Sequence, residues 1–221
     1  MGQRIRLLLA DDHHLVLQGL TLGLQDEFEI IGQVGTGTEA VRECRRQKPD
    51  VLLLDLGLPD KSGLDVITDL HEKTPEVRIV VVTMYIDRVL AEACLRMGAL
   101  AFVPKDAGFA ELRSAIHEAL AGRQYISRLL PETTTRHFPG ELRLRLELLT
   151  PRQRDIVRML GQGKSTAGIA ARLNVSAAAI TFHRGRIRKI LKLKSEWDLM
   201  RFALLVNRPG QDSPFPQGQP A

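Results

Sequence analysis

The sequence predicts an α/β fold, a doubly wound five-stranded parallel sheet, followed by a small all-α domain. Short aliphatic segments alternate with segments of helical periodicity over residues 1–121, whereas residues 150–206 carry helical periodicity alone. The charge also changes sign along the chain. Residues 1–121 hold 13 Lys and Arg against 19 Asp and Glu, a net charge of −6, and residues 150–208 hold 13 against 3, a net charge of +10. A basic unit of this kind is typical of a surface that contacts a polyanion.

Five strands are predicted because five short segments are aliphatic without alternating, as strands covered on both faces of a parallel sheet are. These segments are residues 5–10, 30–34, 51–54, 79–82 and 100–103. Helices are predicted near residues 14–25, 38–46, 63–72, 88–97 and 109–121. The last helix carries Leu112, Ile116 and Leu120 at every fourth position, which is the spacing of a buried stripe.

The alternation stops after the fifth helix, and Pro131 and Pro139-Gly140 follow. We therefore predict a first domain at residues 1–121, a linker at 122–147, a second domain at 148–206 and a disordered polar tail at 207–221. Five leucines at the boundary between the linker and the second domain alternate as in a strand, but their Glu and Arg neighbours favour a short helix. They are Leu142, Leu144, Leu146, Leu148 and Leu149.

Four short helices are predicted in the second domain from their start signals. Thr150, with Pro151 and Gln153, has the pattern of a capping box. Ser165 and Ser176 can cap a second helix ending near Asn174 and a third ending near Leu191, and a fourth begins after Ser195. The tight turn at residues 174–176 between the second and third helices is typical of a helix-turn-helix.

Acidic side chains end the predicted strands on one edge of the sheet, where chemistry collects in such folds. Asp11 and Asp12 end the first strand, Asp55 the third and Thr83 the fourth, and Lys105 follows the fifth. Taken singly, each has a structural explanation, since Asp often caps helices, Thr is common in strands and exposed Lys is usually only solvated. Together, three carboxylates need a cation to offset their repulsion, and hard oxygen ligands suit Mg²⁺. Such a site can run phosphoryl transfer with Asp55 as the nucleophile and with Lys105 and Thr83 holding oxygens of the product.

Three segments of the first domain resemble the signature of response-regulator receivers, over nearly all of residues 4–121. They are residues 8–13 (LLADDH), 55–59 (DLGLP) with Ser62-Gly63, and 98–106 (GALAFVPKD). The resemblance implies a flavodoxin-like receiver in which Asp55 is the phosphoacceptor, Asp12 is a direct Mg²⁺ ligand and Asp11 a more distant one. It also implies that the backbone carbonyl of Gly57 binds the metal and that Thr83 and Phe102 occupy the switch positions. His14 and Ala101 depart from the usual Pro and Gly.

The second domain resembles the LuxR-type helix-turn-helix over residues 148–206. The resemblance rests on residues 149–157 (LTPRQRDIV), 163–165 (GKS), 169–173 (IAARL) with Val175-Ser176, 180–184 (ITFHR) with Ile187, and 193–195 (LKS). A receiver with this output domain is identified as a member of the NarL/FixJ subfamily. Where that family usually carries Thr-Val-Lys this chain has Ala179-Ile180-Thr181, and Gly185 stands where a longer side chain is common, so DNA sequence preference does not carry over.

Helix geometry assigns faces to the third helix of this domain. At about 100° per residue, Ile180, Ile187 and Leu191 fall on one core stripe. His183 lies about 60° from that stripe, which indicates a packed histidine or one that touches phosphate. The opposite face is the one free to enter a major groove. We predict that it contacts DNA through Ala178, Thr181, Phe182, Gly185, Arg186, Arg188, Lys189 and Lys192.

The predicted function is a phosphorylation-controlled transcriptional regulator that is not an enzyme beyond its own phosphoryl transfer and dephosphorylation. Its partners are a sensor histidine kinase or a small phosphodonor, double-stranded DNA and, once phosphorylated, a second copy of the chain. An RNA-binding regulator lacks support because no aromatic stacking segment occurs. A phosphatase-type enzyme is disfavoured since Gly57 offers no acid two residues after Asp55.

The sequence also bounds the compartment in which the protein acts. No apolar run approaches the about 18 residues that span a bilayer, and no export signal is evident, so we expect a cytoplasmic protein without membrane contact. Cys44 and Cys94 lie in predicted helices without the spacing of a metal site, and we expect both to be buried reduced thiols.

Overall fold

The structure is a computed structural model, and it describes residues 4–131, 144 and 146–207. The chain divides into two compact units, Met1–Glu132, called the N-terminal unit below, and Thr133–Ala221, called the C-terminal unit. No helix within these described stretches is long and apolar enough to cross a membrane.

The N-terminal unit is a doubly wound parallel sheet with helices between its strands, as predicted. Its strands are β1 (Arg6–Ala10), β2 (Glu29–Val34), β3 (Val51–Leu54), β4 (Arg78–Thr83), β5 (Ala101–Pro104) and β6 (Tyr125–Ile126). Its helices are α1 (His14–Leu24), α2 (Gly37–Gln47), α3 (Gly63–Lys73), α4 (Arg88–Arg96) and α5 (Gly108–Leu120). The strand order is β2-β1-β3-β4-β5-β6, and every pair of neighbours is parallel.

The predicted number of five strands is wrong by one. β6 has only two residues and pairs with β5 through Ala101 and Tyr125 and through Phe102 and Ile126. It lies in the stretch assigned to the linker from sequence. Two residues are too few to display a period, so only the free edge of β5 determines that they form a strand.

The central strands are buried on both faces, which explains their unbroken aliphatic sequences. β3 and β5 are buried along their whole length, and Leu7, Leu9, Leu53 and Val80 belong to one core cluster with residues of α1 and α5. In register, Ala10 of β1 lies beside Leu54 of β3. The residues that follow these two therefore emerge side by side at the carboxyl edge, next to the point where the winding direction reverses.

The C-terminal unit contains the four predicted helices, here α6 (Pro151–Gly161), α7 (Thr166–Leu173), α8 (Ala177–Leu191) and α9 (Glu196–Val206). Each begins at the predicted cap. The side chains of Thr150, Ser165, Ser176 and Ser195 all accept a backbone N–H of the first turn, and Thr150 completes the predicted capping box with Gln153. The turn between α7 and α8 begins at Asn174, whose φ of 52° lies in the left-handed region.

Of the leucine-rich stretch before α6, only part is described. Leu144 accepts a hydrogen bond from the N–H of Glu147, and Leu146 accepts one from that of Leu149. These three-residue spacings are those of helical turns, as predicted in place of a strand, and Leu146 and Leu149 are buried. Leu142, Pro139-Gly140 and the predicted tail from residue 208 onward lie outside the described residues.

Candidate functional site

Two of the predicted carboxylates are buried side by side at the carboxyl edge of the sheet. Asp11 follows β1 and Asp55 follows β3, and the N–H of Asp55 donates to the carbonyl of Ala10 at 2.8 Å. Their exposed fractions are 2% and 6%. The exposed residues Asp12 and His13 complete a cluster in which one ligand atom from each of the four residues lies within 4.8 Å of the others.

His13 belongs to this cluster, although the sequence did not single it out as a ligand. Its Nδ1 lies 2.7 Å from Oδ1 of Asp12 and 3.2 Å from Oδ1 of Asp11. The only signal for it was its place directly after two aspartates. Its ring is mostly exposed, so it borders the cluster on the solvent side.

Lys105 bridges the two buried carboxylates, as its position after β5 predicts. Its Nζ lies 2.5 Å from Oδ2 of Asp11 and 3.0 Å from Oδ2 of Asp55. Burial by itself lowers the pKa of this ammonium, but its hydrogen bond to Asp11 and the charge of Asp55 outweigh that effect and raise the pKa. Lys105 is therefore a fixed positive charge between two acids.

The two expected switch residues lie on the neighbouring strands, β4 and β5. Thr83 ends β4 and is fully buried, and its Oγ1 accepts the N–H of Tyr85 at 3.4 Å. Phe102 of β5 is also fully buried and pairs with Val81 of β4. In this state, therefore, the Thr83 hydroxyl bonds to the β4–α4 loop.

The loop between β3 and α3 holds Asp55 close to a position without a side chain. A Cβ added to Gly57 would lie 3.3 Å from Oδ2 of Asp55, so the glycine keeps that face of the carboxylate open. Asp60, which the sequence did not single out, fastens the loop by accepting the N–H groups of Gly37 and Thr38 at 2.7 and 3.1 Å. Partial burial raises the pKa of Asp60, but the hydrogen bond from the Thr38 side chain, together with those from the two N–H groups, outweighs it and the pKa is lowered.

The donor set of this site fits a hard divalent cation. Three carboxylates, those of Asp11, Asp12 and Asp55, lie close together, and Lys105 contacts two of them, so the site carries excess negative charge while two of the acids are nearly inaccessible to water. Burying uncompensated carboxylates is unfavourable. Carboxylate oxygens with room for water on the exposed side are the ligands that Mg²⁺ prefers.

Helix α8 of the C-terminal unit has a buried stripe and an exposed face, as its sequence predicts. Ile180, Ile187 and Leu191 are buried, and on the other side Phe182 is 63% exposed. The guanidinium of Arg186 lies 5.8 Å from the centre of the Phe182 ring. Of the remaining predicted contacts, Ala178, Thr181, Lys189 and Lys192 are exposed and Gly185 is half-buried.

Arg188 and His183 lie at the borders of that face. The Nε atom of Arg188 is 3.5 Å from Oε2 of Glu196 in α9, so this arginine leans toward the body of the unit. His183 is half-buried, and its Nδ1 is enclosed without a hydrogen-bond partner among the described residues. The structure thus favours packing for His183.

Arg184 is a residue that the sequence analysis missed. It is 6% exposed, its Nε lies 2.5 Å from Oε1 of Glu196, and its guanidinium also contacts the hydroxyl of Thr166. A signal was available, because Arg184 is four residues after Ile180 and three before Ile187, which places it on the core stripe. This ion pair joins α7, α8 and α9.

Comparison with known proteins gives matches to both units. Residues 7–117 match the family described as response regulator receiver domain, and residues 147–203 match the bacterial regulatory proteins of the luxR family. The transcriptional regulatory protein MctR of Rhizobium johnstonii is 32% identical over 91% of this chain and 94% of its own length. The response regulator GacA of Pseudomonas viridiflava is 31% identical over 93% and 97%. A solved structure of the response regulator RcsB in complex with DNA is similar in fold, with a TM-score of 0.57 and 20% identity over 92% of this chain and all of that one.

Proposed function

Because this chain belongs to the bacterial response regulators that join a receiver domain to a LuxR-type DNA-binding domain, we propose that Asp55 is its phosphoacceptor and that phosphorylation of Asp55 controls DNA binding. The observation that carries the proposal is the position of Asp55. It is buried at the end of β3, 3.0 Å from the Lys105 ammonium and beside two further carboxylates.

The site residues divide the reaction between them. The Asp55 carboxylate attacks phosphorus as the bond from phosphorus to the donor's leaving group breaks, which gives an acyl phosphate. Lys105 exchanges its contact with Asp55 for one with a phosphoryl oxygen and so neutralises charge there. The Thr83 hydroxyl turns from the N–H of Tyr85 to a second phosphoryl oxygen, and Phe102 repacks behind it.

We assign metal binding to the carboxylates of Asp11, Asp12 and Asp55 and to the backbone carbonyl of Gly57. A bound Mg²⁺ would supply positive charge that offsets both the clustered acids and the phosphoryl oxygens. The open face at Gly57 leaves a path for water, which supports loss of the phosphoryl group by hydrolysis within the same site. Gain and loss of this group are the chain's only chemistry in this proposal.

DNA binding is assigned to the outer face of α8. Phe182, Arg186, Lys189 and Lys192 are exposed on a unit whose residues 150–208 carry a net charge of +10, and such a face meets phosphates and base edges in a major groove. Ala178, Thr181 and Gly185 belong to the same outer face. Arg188 contributes from the border of the face, where it is shared with Glu196.

The chain has three partners in this proposal. A sensor histidine kinase or a small phosphodonor supplies the phosphoryl group, DNA binds the C-terminal unit, and the phosphorylated chain dimerises on DNA in the cytoplasm.

We assign the receiver to residues 1–121, extended by β6, and the linker to the rest of 122–147. The DNA-binding domain is assigned to 148–206 and the tail to 207–221.

The test is phosphorylation by acetyl phosphate with Mg²⁺, followed by intact mass. We expect the mass of one added phosphoryl group in the native chain and in Asp26→Asn, a control in which an exposed aspartate outside the site is changed. We expect no gain in Asp55→Asn or when a chelator removes the metal. A gain that persists in Asp55→Asn would disprove the assignment, and unchanged affinity for selected genomic fragments after phosphorylation would disprove the control of DNA binding.

A further inference from the structure

A concave basic surface lies between α2 and α3, on a domain that is acidic as a whole. The cavity has a volume of about 600 Å³, and its charged lining consists of Arg42, Arg45, Arg46, Lys61 and Lys73 with the single carboxylate of Asp69. We call it the α2–α3 groove. Neither the predicted phosphorylation chemistry nor DNA binding uses these residues.

The groove concentrates positive charge beyond what its neighbouring acids offset. It holds five of the 13 Lys and Arg in residues 1–121, although that stretch has a net charge of −6. Arg42 and Arg46 share Glu43, with nitrogen to oxygen distances of 3.1 and 2.5 Å. Their contacts hold the pKa of Glu43 at about 2, chiefly through the hydrogen bond from Arg46.

The other three cations of the groove have only one carboxylate between them. Lys61 and Lys73 share Asp69, and the Nζ of Lys73 is 3.8 Å from its Oδ1. Arg45 is exposed at the end of α2 and adds a fifth charge. Two carboxylates therefore face five cations, which leaves three positive charges in excess. The positive charges that line the same groove repel one another, and a bound polyanion removes this repulsion.

We propose that the α2–α3 groove binds a small molecule that carries two or more linked phosphate groups, such as a nucleoside triphosphate. The cavity has the size of small-molecule sites, which span roughly 300–1,000 Å³. Guanidinium groups contact phosphate oxygens in pairs, and their planes stack on aromatic rings such as a nucleobase. Val41, which is buried, provides an apolar patch in the same lining.

The groove also adjoins the loop that carries the phosphoacceptor. Lys61 is six residues after Asp55 on the β3–α3 loop, and the preceding Asp60 holds the first N–H groups of α2. A ligand bound to Lys61 therefore contacts the segment that Asp55 begins. Binding itself does not depend on phosphorylation of Asp55, so the two proposals are tested separately.

The experiment is titration calorimetry on the full chain with ATP and, in a second arm, inorganic tripolyphosphate, both with a chelator so that the acidic site holds no metal. Arg45→Glu removes and reverses one groove charge. Arg96→Glu is the matched control, because Arg96 is likewise an exposed arginine in the last turn of a helix of the same unit. The melting temperature, followed by far-ultraviolet circular dichroism, checks that each variant is folded.

We expect Arg45→Glu to weaken binding by about fivefold or more, the effect of one charge contact in a solvated site, and Arg96→Glu to leave it unchanged. Adding Lys73→Glu should abolish groove binding. Equal binding of both ligands assigns recognition to the phosphates, and tighter binding of ATP assigns a contribution to the base. Equal losses in the Arg45 and Arg96 variants would overturn the proposal, as would binding that both variants retain in full.

Discussion

The ion pair between Arg184 and Glu196 gives a sharp prediction about the stability of the C-terminal unit. Glu196→Gln keeps the shape of the side chain and removes its charge, which leaves a nearly buried guanidinium facing a neutral amide. Removing one partner of a fully buried pair typically costs about 3–5 kcal/mol. Glu196 is 36% exposed and Arg184 also contacts Thr166, so water and that hydroxyl compensate in part. We therefore expect the free energy of unfolding to fall by about 2 kcal/mol, which is less than the cost of removing one partner of a fully buried pair.

Unfolding of the C-terminal unit can be measured separately from that of the N-terminal unit. The chain has one tryptophan, Trp197, and it lies in α9 beside Glu196. Urea unfolding followed by its fluorescence therefore measures the C-terminal unit while the N-terminal unit contributes little signal. A loss of about 2 kcal/mol corresponds to a melting temperature lower by about 8–16 °C for a domain of this size.

A matched control separates burial from charge. Asp155 pairs with Arg158 at 2.8 Å in the same unit, but both side chains are well exposed, so Asp155→Asn should cost at most about 1 kcal/mol. Replacing Arg184 by Met in the Glu196→Gln background should recover part of the loss, since it removes the uncompensated charge. If Glu196→Gln costs no more than Asp155→Asn, the pair is not a buried link between helices and the reasoning fails.

Two further predictions concern the recognition helix and the thiols. A Cβ added to Gly185 would meet no atom within 4 Å, so Gly185→Ala should stabilise the free chain by about 0.5–1 kcal/mol through its helix propensity. Weaker DNA binding by this variant at fixed salt would show that the backbone approaches DNA at Gly185, and equal or tighter binding would show that glycine is only tolerated. Burial raises the pKa of Cys44 to about 12 and raises that of Cys94 further, so neither thiol should react with a disulfide reagent in the native chain. The thiols of the unfolded chain ionise at a lower pH than the buried thiols. Their contribution to stability is therefore present below the ordinary thiol pKa of about 9 and is lost as pH rises from 9 toward 12. Rapid labelling of the native chain, or a free energy of unfolding that rises over this pH range, would contradict the burial.

Much of this protein could be predicted because the decisive signals are local along the chain. Unalternating aliphatic segments predict doubly covered strands, and caps such as Thr150 and Ser176 begin helices by accepting the backbone N–H three residues later. The acidic site follows from chain order. In a parallel sheet all carboxyl ends lie on one edge, so Asp11 and Asp55 had to emerge there together with Lys105.

The features that sequence could not supply depend on distances between segments far apart in the chain. β6 exists because the edge of β5 offers free backbone groups, and the groove exists because α2 and α3 bring Arg45 and Lys73 to the same concave surface. The spacing of Arg184 places it on the core stripe of α8, but its partner Glu196 is identified only by the packing of α9 against α8. A period or a cap is determined within a few residues, whereas pairing of charges is determined by which helix faces pack together, and only the tertiary structure specifies that packing.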